Sequence, residues 1–436
     1  MLAMQGLPYI ILFSFHTIVG PANHWRRNMI LAGLSLAFTI LASWYFLFIA
    51  TLPAIGFFLS LSQKAHFKER WLAFMIGVGL ICALLLSPFI YITWQAREAM
   101  FEEKAAFPLS DTDSFSLSAD RLLMPNPLHP LWRQQLQTGA FRGEQDAASV
   151  GYVTLLLAVV GLFKAKRTKT KPFLVLAFIS LLLAMGTTLY WQGSQVQISN
   201  VTPGTAQMFA RIAPGMLLPE AHAAIPLPGL LLYRFLPFYD AIRVWARFLI
   251  PFMLGIAVLA GLGTQYLLKK NVPQPVIWLL TLLILFEGII TPYAHFTAVA
   301  VNARPTVNQW LAALPAETAI IEYPRPHVDK IAMYSHSFHG QPMVNGYMSQ
   351  EPTQLRVVAA ELGAWPNPQA IPILREWAVE YVVVSGTTGE LFQQEILATV
   401  MATEDLCLEA VFEEGFMDFT RTYIFSILTA GNECHQ

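Results

Sequence analysis

The sequence predicts an α-helical polytopic membrane protein of about eight spans, followed by a C-terminal extracytoplasmic α/β domain. Three observations carry that reading. Hydrophobic residues make up 55% of the chain and charged residues only 13%, about half the charged fraction of a soluble domain. The apolar excess is gathered into blocks of roughly 14 to 23 residues, the length at which a helix crosses a bilayer. The charge is also unevenly placed. Residues 300–436 hold 16 of the 28 acids and 6 of the 27 basic residues, a balance of −10, leaving 21 basic and 12 acidic groups in the first 299. The predicted division is therefore a membrane domain over 1–298 and an outer domain over 299–436.

Taken in order, Leu7 to Gly20 is the first apolar block. No Lys or Arg precedes Arg26, so the block lacks the basic start of a secretory signal and reads as a span with its N-terminus outside. Met29 to Leu61 is too long for one span, and basic clusters flank it on both sides: Arg26-Arg27, then Lys64, Lys68 and Arg70. Positive charge favours the cytoplasmic side, so both flanks belong there and a helical hairpin must lie between them, turning near Ala42-Ser43 or near Thr51-Leu52-Pro53. Trp71 to Tyr91 then crosses outward to a polar loop over 92–148. Val150 to Phe163 returns to the strongest inside signal: Lys164, Lys166, Arg167, Lys169 and Lys171. Phe173 to Tyr190 leads out to a second loop over 191–245. Leu249 to Leu268 goes in, Lys269-Lys270 turns, and Val276 to Tyr293 comes out. Twelve basic residues thus fall in four short cytoplasmic loops that contain one acid, Glu69. Both termini are then outside. With the lysines and arginines committed to topology, no basic face is left for nucleic acid.

Beyond about Val301 the pattern changes. Ala319 to Tyr323, Tyr381 to Val384 and Thr422 to Phe425 read as short buried strands. Thr306 to Leu314, Pro352 to Leu362, Pro368 to Val379 and Gly389 to Met401 read as helices. Strands alternating with helices predict a small α/β domain. No Gly-rich phosphate loop follows any of these strands, so nothing supports nucleotide binding in the Rossmann manner, and no cofactor is expected. Cys82 lies in a span, while Cys407 and Cys434 lie in the outer domain. They are either a disulfide formed in an oxidising compartment or two separate thiols.

Several stretches resemble a known group. The loop Ser118-Ala119-Asp120-Arg121-Leu122-Leu123-Met124-Pro125-Asn126-Pro127-Leu128-His129-Pro130 resembles one in bacterial membrane proteins of the YfhO-like group, related to the GT-C glycosyltransferases. The segment from Pro226-Leu227-Pro228 to Arg243-Val244-Trp245-Ala246-Arg247-Phe248 is similar to the entry into one of their late spans. Ile321-Glu322-Tyr323-Pro324 and His339 to Tyr347 resemble their post-membrane signatures, and Tyr381 to Val384 matches in kind. The resemblance implies a bacterial inner-membrane protein that uses a polyprenyl-phosphate-linked sugar and a glycan acceptor at the outer face. Members of the wider group carry a catalytic Asp or Glu in the first outer loop after the first span. This sequence has no acidic outer loop ahead of its first block, which implies that the residue belongs to missing N-terminal spans. No residue here inherits the catalytic role.

The remaining candidates come from residue chemistry. Arg243 and Arg247 would face one way on a helix just before a span, where guanidinium groups match phosphate oxygens in bidentate fashion. The alternative is that they snorkel beside Trp245 at the interface. Asp240 is placed to pair with Arg243 in the first turn. Asp120 and His129 offer an acid and an imidazole in the first outer loop, either as chemistry or as caps and turns. Glu287 lies inside the last span, where a carboxylate is a candidate for function or for contact with a neighbouring helix. His327, His336 and His339 lack the spacing of a metal site, and Asn345-Gly346 reads as a turn. Three functions remain open: a glycosyltransferase-like protein, a non-catalytic protein that binds or presents lipid-linked glycans, and a lipid or glycan transporter. The third expects polar residues along a midplane path, and the spans offer almost none.

Overall fold

The computed structural model describes residues 5–21, 23–62, 67–100, 109–132, 149–199, 202, 204, 207, 217–218, 222–236, 239–290, 304–325, 328–346, 355, 358–387, 389, 392–403, 405–414, 419–428 and 434. His327, Tyr347, the predicted helical residues 352–354 and the span residues 291–293 lie outside them. The chain forms two compact units, Met1–Tyr293 and Ala294–Gln436.

Among the described residues the longest helices of the first unit are α1 (Gly6–Val19), α2 (Trp25–Ala42), α3 (Tyr45–Ser60), α4 (Phe67–Met100), α5 (Tyr152–Lys164), α6 (Arg167–Ala184), α7 (Leu249–Lys269) and α8 (Gln274–Glu287). The long block after Met29 breaks at Ser43, whose backbone is extended (φ −167°, ψ 117°). Pro53 stays inside α3. The hairpin therefore turns at the first of its two expected places. Among the described residues two stretches, Phe67–Ile92 and Trp245–Lys269, are long and apolar enough to cross a membrane. Four further apolar helices, α1, α3, α5 and α8, are shorter. A 14-residue helix such as α1 spans about 21 Å, against about 30 Å of hydrocarbon. Each of α2 and α6 has 18 residues, and basic side chains occupy their first turns.

Several expected boundaries move: α4 begins at Phe67 and runs to Met100, past Tyr91 and into the expected loop, and α6 begins at Arg167 rather than Phe173. The helix predicted to run to Tyr190 stops at Ala184; Tyr190–Trp191 pairs instead with Ser194–Gln195 as a small antiparallel hairpin. The last helix ends at Glu287 rather than beyond it, so this acid is a terminal residue and not one inside a span.

Small residues set the closest packing. A Cβ on Gly161 of α5 would stand 2.0 Å from the Leu259 carbonyl of α7, and one on Gly263 would stand 2.0 Å from the Leu157 carbonyl. Glycines at both positions let the two backbones touch, as in close helix pairs in lipid. Large apolar side chains fill the rest. Leu7, Phe46, Ile49, Leu183 and Phe248 share a core with Tyr239, Ile242 and Trp245. Ile18, Phe57, Leu61, Leu157, Phe173 and Leu259 form another. The outward faces are apolar as well: α8 buries no residue, Leu84 is 75% exposed and Phe163 is 77% exposed. Patches of this kind mark a surface covered by something other than water.

The second unit is a four-stranded sheet of β1 (Ala319–Tyr323), β2 (Val379–Gly386), β3 (Leu406–Phe412) and β4 (Arg421–Ile427), in the order β1-β2-β4-β3. The β1–β2 pair is parallel and the other two pairs are antiparallel. Both faces are covered. Ile321, Val382, Val384 and Phe425 pack with Ile371 and Leu374 of the helix α11 (Ala370–Glu376). Ile320, Val383 and Ile424 pack with Val307 and Leu311 of α9 (Pro305–Ala312). Burial on both sides is why Tyr381 to Val384 reads as an unbroken apolar run. Two elements were not expected from sequence: α10 (Asp329–His339) and the edge strand β3. A disulfide joins Cys407 of β3 to Cys434, with Cα atoms 5.4 Å apart.

Candidate functional site

The stretch that leads into α7 is folded by its neighbours rather than by its own helical tendency. Tyr239–Ala241 and Trp245–Phe248 are separate 3₁₀ turns, and Val244 between them is non-helical (φ −108°, ψ 86°). Its amide donates to the Tyr45 hydroxyl at 2.7 Å, and the Ala246 amide donates to the Phe115 carbonyl at 3.1 Å. With those amides engaged elsewhere, a continuous helix cannot form. The expectation that Arg243 and Arg247 share one helical face is therefore corrected.

The two arginines are held by rings instead. The Arg243 guanidinium lies over Phe115 at 4.7 Å, and that of Arg247 lies over Tyr45 at 4.6 Å. Both charges act on the Tyr45 hydroxyl. Stacking of this kind fixes the plane of a guanidinium while its N–H groups point along the edge. Arg247 is exposed and Arg243 half-buried. Trp245 is not an interfacial indole, because it is fully buried, with its ring 6.2 Å from Tyr239 and 5.7 Å from Phe248. Asp240 is half-buried in the first turn. The Tyr233 phenol is held above its ordinary pKa, first by burial and then by the Asp240 charge.

No protein-family model matches the chain, and no curated protein matches it in sequence.

The other predicted residues act as structural fasteners. Asp120 is buried and accepts hydrogen bonds from the Ser118 hydroxyl and, at 2.8 Å, from the Gln192 amide; the Arg121 guanidinium stands 3.8 Å away. His129 is buried with Nδ1 accepting from the Leu131 amide at 3.2 Å. Its Nε2 then carries the proton and donates to the Phe286 carbonyl at 3.0 Å, with the two rings edge to face at 4.9 Å. Glu287 caps α5, accepting from the Tyr152 amide at 3.0 Å and the Val153 amide at 3.2 Å. A carboxylate there satisfies orphan donors and meets the positive end of the helix.

Sequence reasoning passed over Asp113, Tyr45 and Phe115. Asp113 is buried and accepts from Thr187 and, at 2.8 Å, from Thr188, tying loop 109–132 to the chain after α6. Its signal in the sequence was weak, since the loop over 92–148 holds several other acids, Asp111 and Asp120 among them.

The second unit carries a buried polar network. Arg304 and Glu322 pair at 2.9 Å with both side chains fully buried, and Arg304 also donates to Ser335 at 3.0 Å. Asn345 is not a turn residue at the surface. Its amide donates to the Glu322 carbonyl at 2.8 Å and to Asp329 at 2.7 Å, and its carbonyl accepts from the Glu322 amide. Residues 321–324 and the stretch that begins at His339 are thus joined to each other. His336 and His339 stack edge to face at 5.8 Å. His339 is buried, and its pKa is lowered to about 4 by burial first, then by the charges of His336 and Arg304. Among the described residues no cluster of three metal-ligating side chains occurs.

Proposed function

We propose that this chain is a multi-pass bacterial inner-membrane protein related to the GT-C glycosyltransferases, in the YfhO-like manner. It holds a polyprenyl-phosphate-linked sugar at the outer face, with Arg243 and Arg247 on the lipid phosphate, for delivery to a glycan acceptor. The eight-span topology draws support from how the helix ends meet. Ends assigned outside touch each other: the start of α1, the start of α3, the end of α6 and the start of α7 share one core, and the end of α8 caps the start of α5. Ends assigned inside do likewise, since Arg70 at the start of α4 donates to the Thr17 and Gly20 carbonyls at the end of α1, at 3.1 and 2.7 Å. Both termini and the second unit are then extracytoplasmic.

One observation carries the site: two ring-stacked guanidinium groups stand beside the N-terminus of α7, where the helix itself favours an anion. The test is binding and turnover of a labelled polyprenyl-phosphate sugar by the purified full-length protein. Removing either charge-assisted contact weakens donor binding roughly 10- to 100-fold, from about 1.5–3 kcal/mol per contact. Unchanged binding and turnover in the R243Q/R247Q double variant refutes the assignment.

A second reading has its own support. Asp113, Asp120 and Glu287 are all engaged by protein donors, so none stands ready to deprotonate an acceptor hydroxyl. A non-catalytic protein that binds or presents lipid-linked glycans fits that arrangement, and the same assay separates the two: binding without consumption supports presentation, and consumption supports transfer.

A further inference from the structure

Away from the arginines, a groove of about 610 Å³ opens between α1, α6 and α7. That volume is in the range of sites that hold a small ligand. Its walls are apolar for most of its length, through Pro8, Leu12 and Leu254, and polar at one end, through His16 and Lys169. The polar end coincides with the basic run Lys164, Lys166, Arg167, Lys169 and Lys171. From His16 back to Pro8 is eight positions of α1, or roughly 12 Å of helix. Half of a hydrocarbon core is about 15 Å. The apolar walls thus match an acyl chain in length while running along most of α1, and the polar end lies at the cytoplasmic side assigned to residues 164–171.

We infer that this groove binds an anionic phospholipid of the cytoplasmic leaflet, one acyl chain lying along Leu12 and Leu254 and the phosphate meeting Lys169 and His16. The charge at the mouth selects the occupant. A zwitterionic lipid would bring its own cation against Lys169, whereas an anionic headgroup brings only negative charge to it, and basic pockets between helices at the cytoplasmic side suit such lipids. An apolar chain is the natural filler of a groove whose alternative is unfilled contact surface. The inference rests on the cytoplasmic placement of residues 164–171 and is independent of the donor site at Arg243 and Arg247.

Native mass spectrometry of the full-length protein, exchanged between phosphatidylglycerol and phosphatidylcholine in detergent, tests it. The protein retains phosphatidylglycerol in preference. K169Q lowers that retention about fivefold, the change expected from one lysine at an anionic surface, while K164Q, outside the groove, leaves it unchanged. V258W narrows the apolar part and lowers retention of both lipids; an unshifted melting transition checks that this variant is folded. Equal retention of the two lipids, or equal effects of K169Q and K164Q, overturns the proposal. Cysteine labelling at residue 166 from either side of the membrane keeps the outcomes apart. Labelling from inside with no lipid preference sinks the groove alone, and labelling from outside sinks the topology with it.

Discussion

Replacing Glu322 with Gln leaves the Arg304 guanidinium in a site where both side chains have no exposure. The neutral Ser335 hydroxyl also accepts from that guanidinium. Taking one partner from a buried ion pair costs about 3–5 kcal/mol, because the remaining charge cannot return to water without opening the fold. Replacing both partners with apolar residues of similar volume removes that penalty. E322Q is therefore expected to lose about 3–5 kcal/mol of local stability, and the R304M/E322L double variant to recover most of it. Amide hydrogen exchange on the full-length protein reads the effect at β1 and β2, whose strands carry Glu322 and its parallel neighbour Val383. Protection there should fall roughly 10²- to 10⁴-fold in E322Q, with amides of α5 and α7 unchanged. If the double variant is no better than E322Q, or if E322Q costs under about 1 kcal/mol, the reasoning from burial of the pair is refuted.

Four further outcomes follow from the geometry. E287A should speed exchange of the Tyr152 and Val153 amides and cost about 1–2 kcal/mol, as loss of a helix cap does. G151A should do at least as much damage, since Gly151 has φ +81° and a Cβ there would stand 2.6 Å from the Glu287 carboxylate. The His339 pKa of about 4 lies below its unfolded value of about 6.5, so the unfolded chain binds the proton first. Stability of the second unit is then fully present above about pH 6.5 and declines as pH falls towards 4; exchange at several pH values should show this, and H339Q should flatten it. Cutting the Cys407–Cys434 bridge, whose partners are 27 positions apart, should cost about 3–4 kcal/mol by the loop-entropy estimate, measured as faster exchange in β3 and β4 of the C407S/C434S variant.

What the sequence by itself determined was whatever depends on local composition. Apolar blocks located the eight helices, most ends to within a few residues, and basic clusters marked the ends of four of their connections. The exceptions are α4, which runs on from Tyr91 to Met100, and α6, which starts at Arg167 rather than Phe173 and stops at Ala184 rather than Tyr190. The strands around Ile321, Val383 and Ile424 were visible because both faces of the sheet are buried, which turns alternation into a plain apolar run. The helix α10 and the strand β3 were not visible for the converse reason. Asp329–His339 mixes polar and apolar residues with no clean stripe, and β3 is an edge strand whose Cys407 and Val411 blur the period-two pattern. Only the tertiary structure decided the fate of the polar residues. Glu287 became a cap for a helix that starts 135 positions earlier, and His129 a donor to a carbonyl 157 positions away. Arg243 and Arg247 lost their shared helical face because the Tyr45 hydroxyl and the Phe115 carbonyl claimed the amides between them. A side chain's hydrogen-bond partner is set by which groups folding brings within 3 Å, and spacing along the chain carries no record of that.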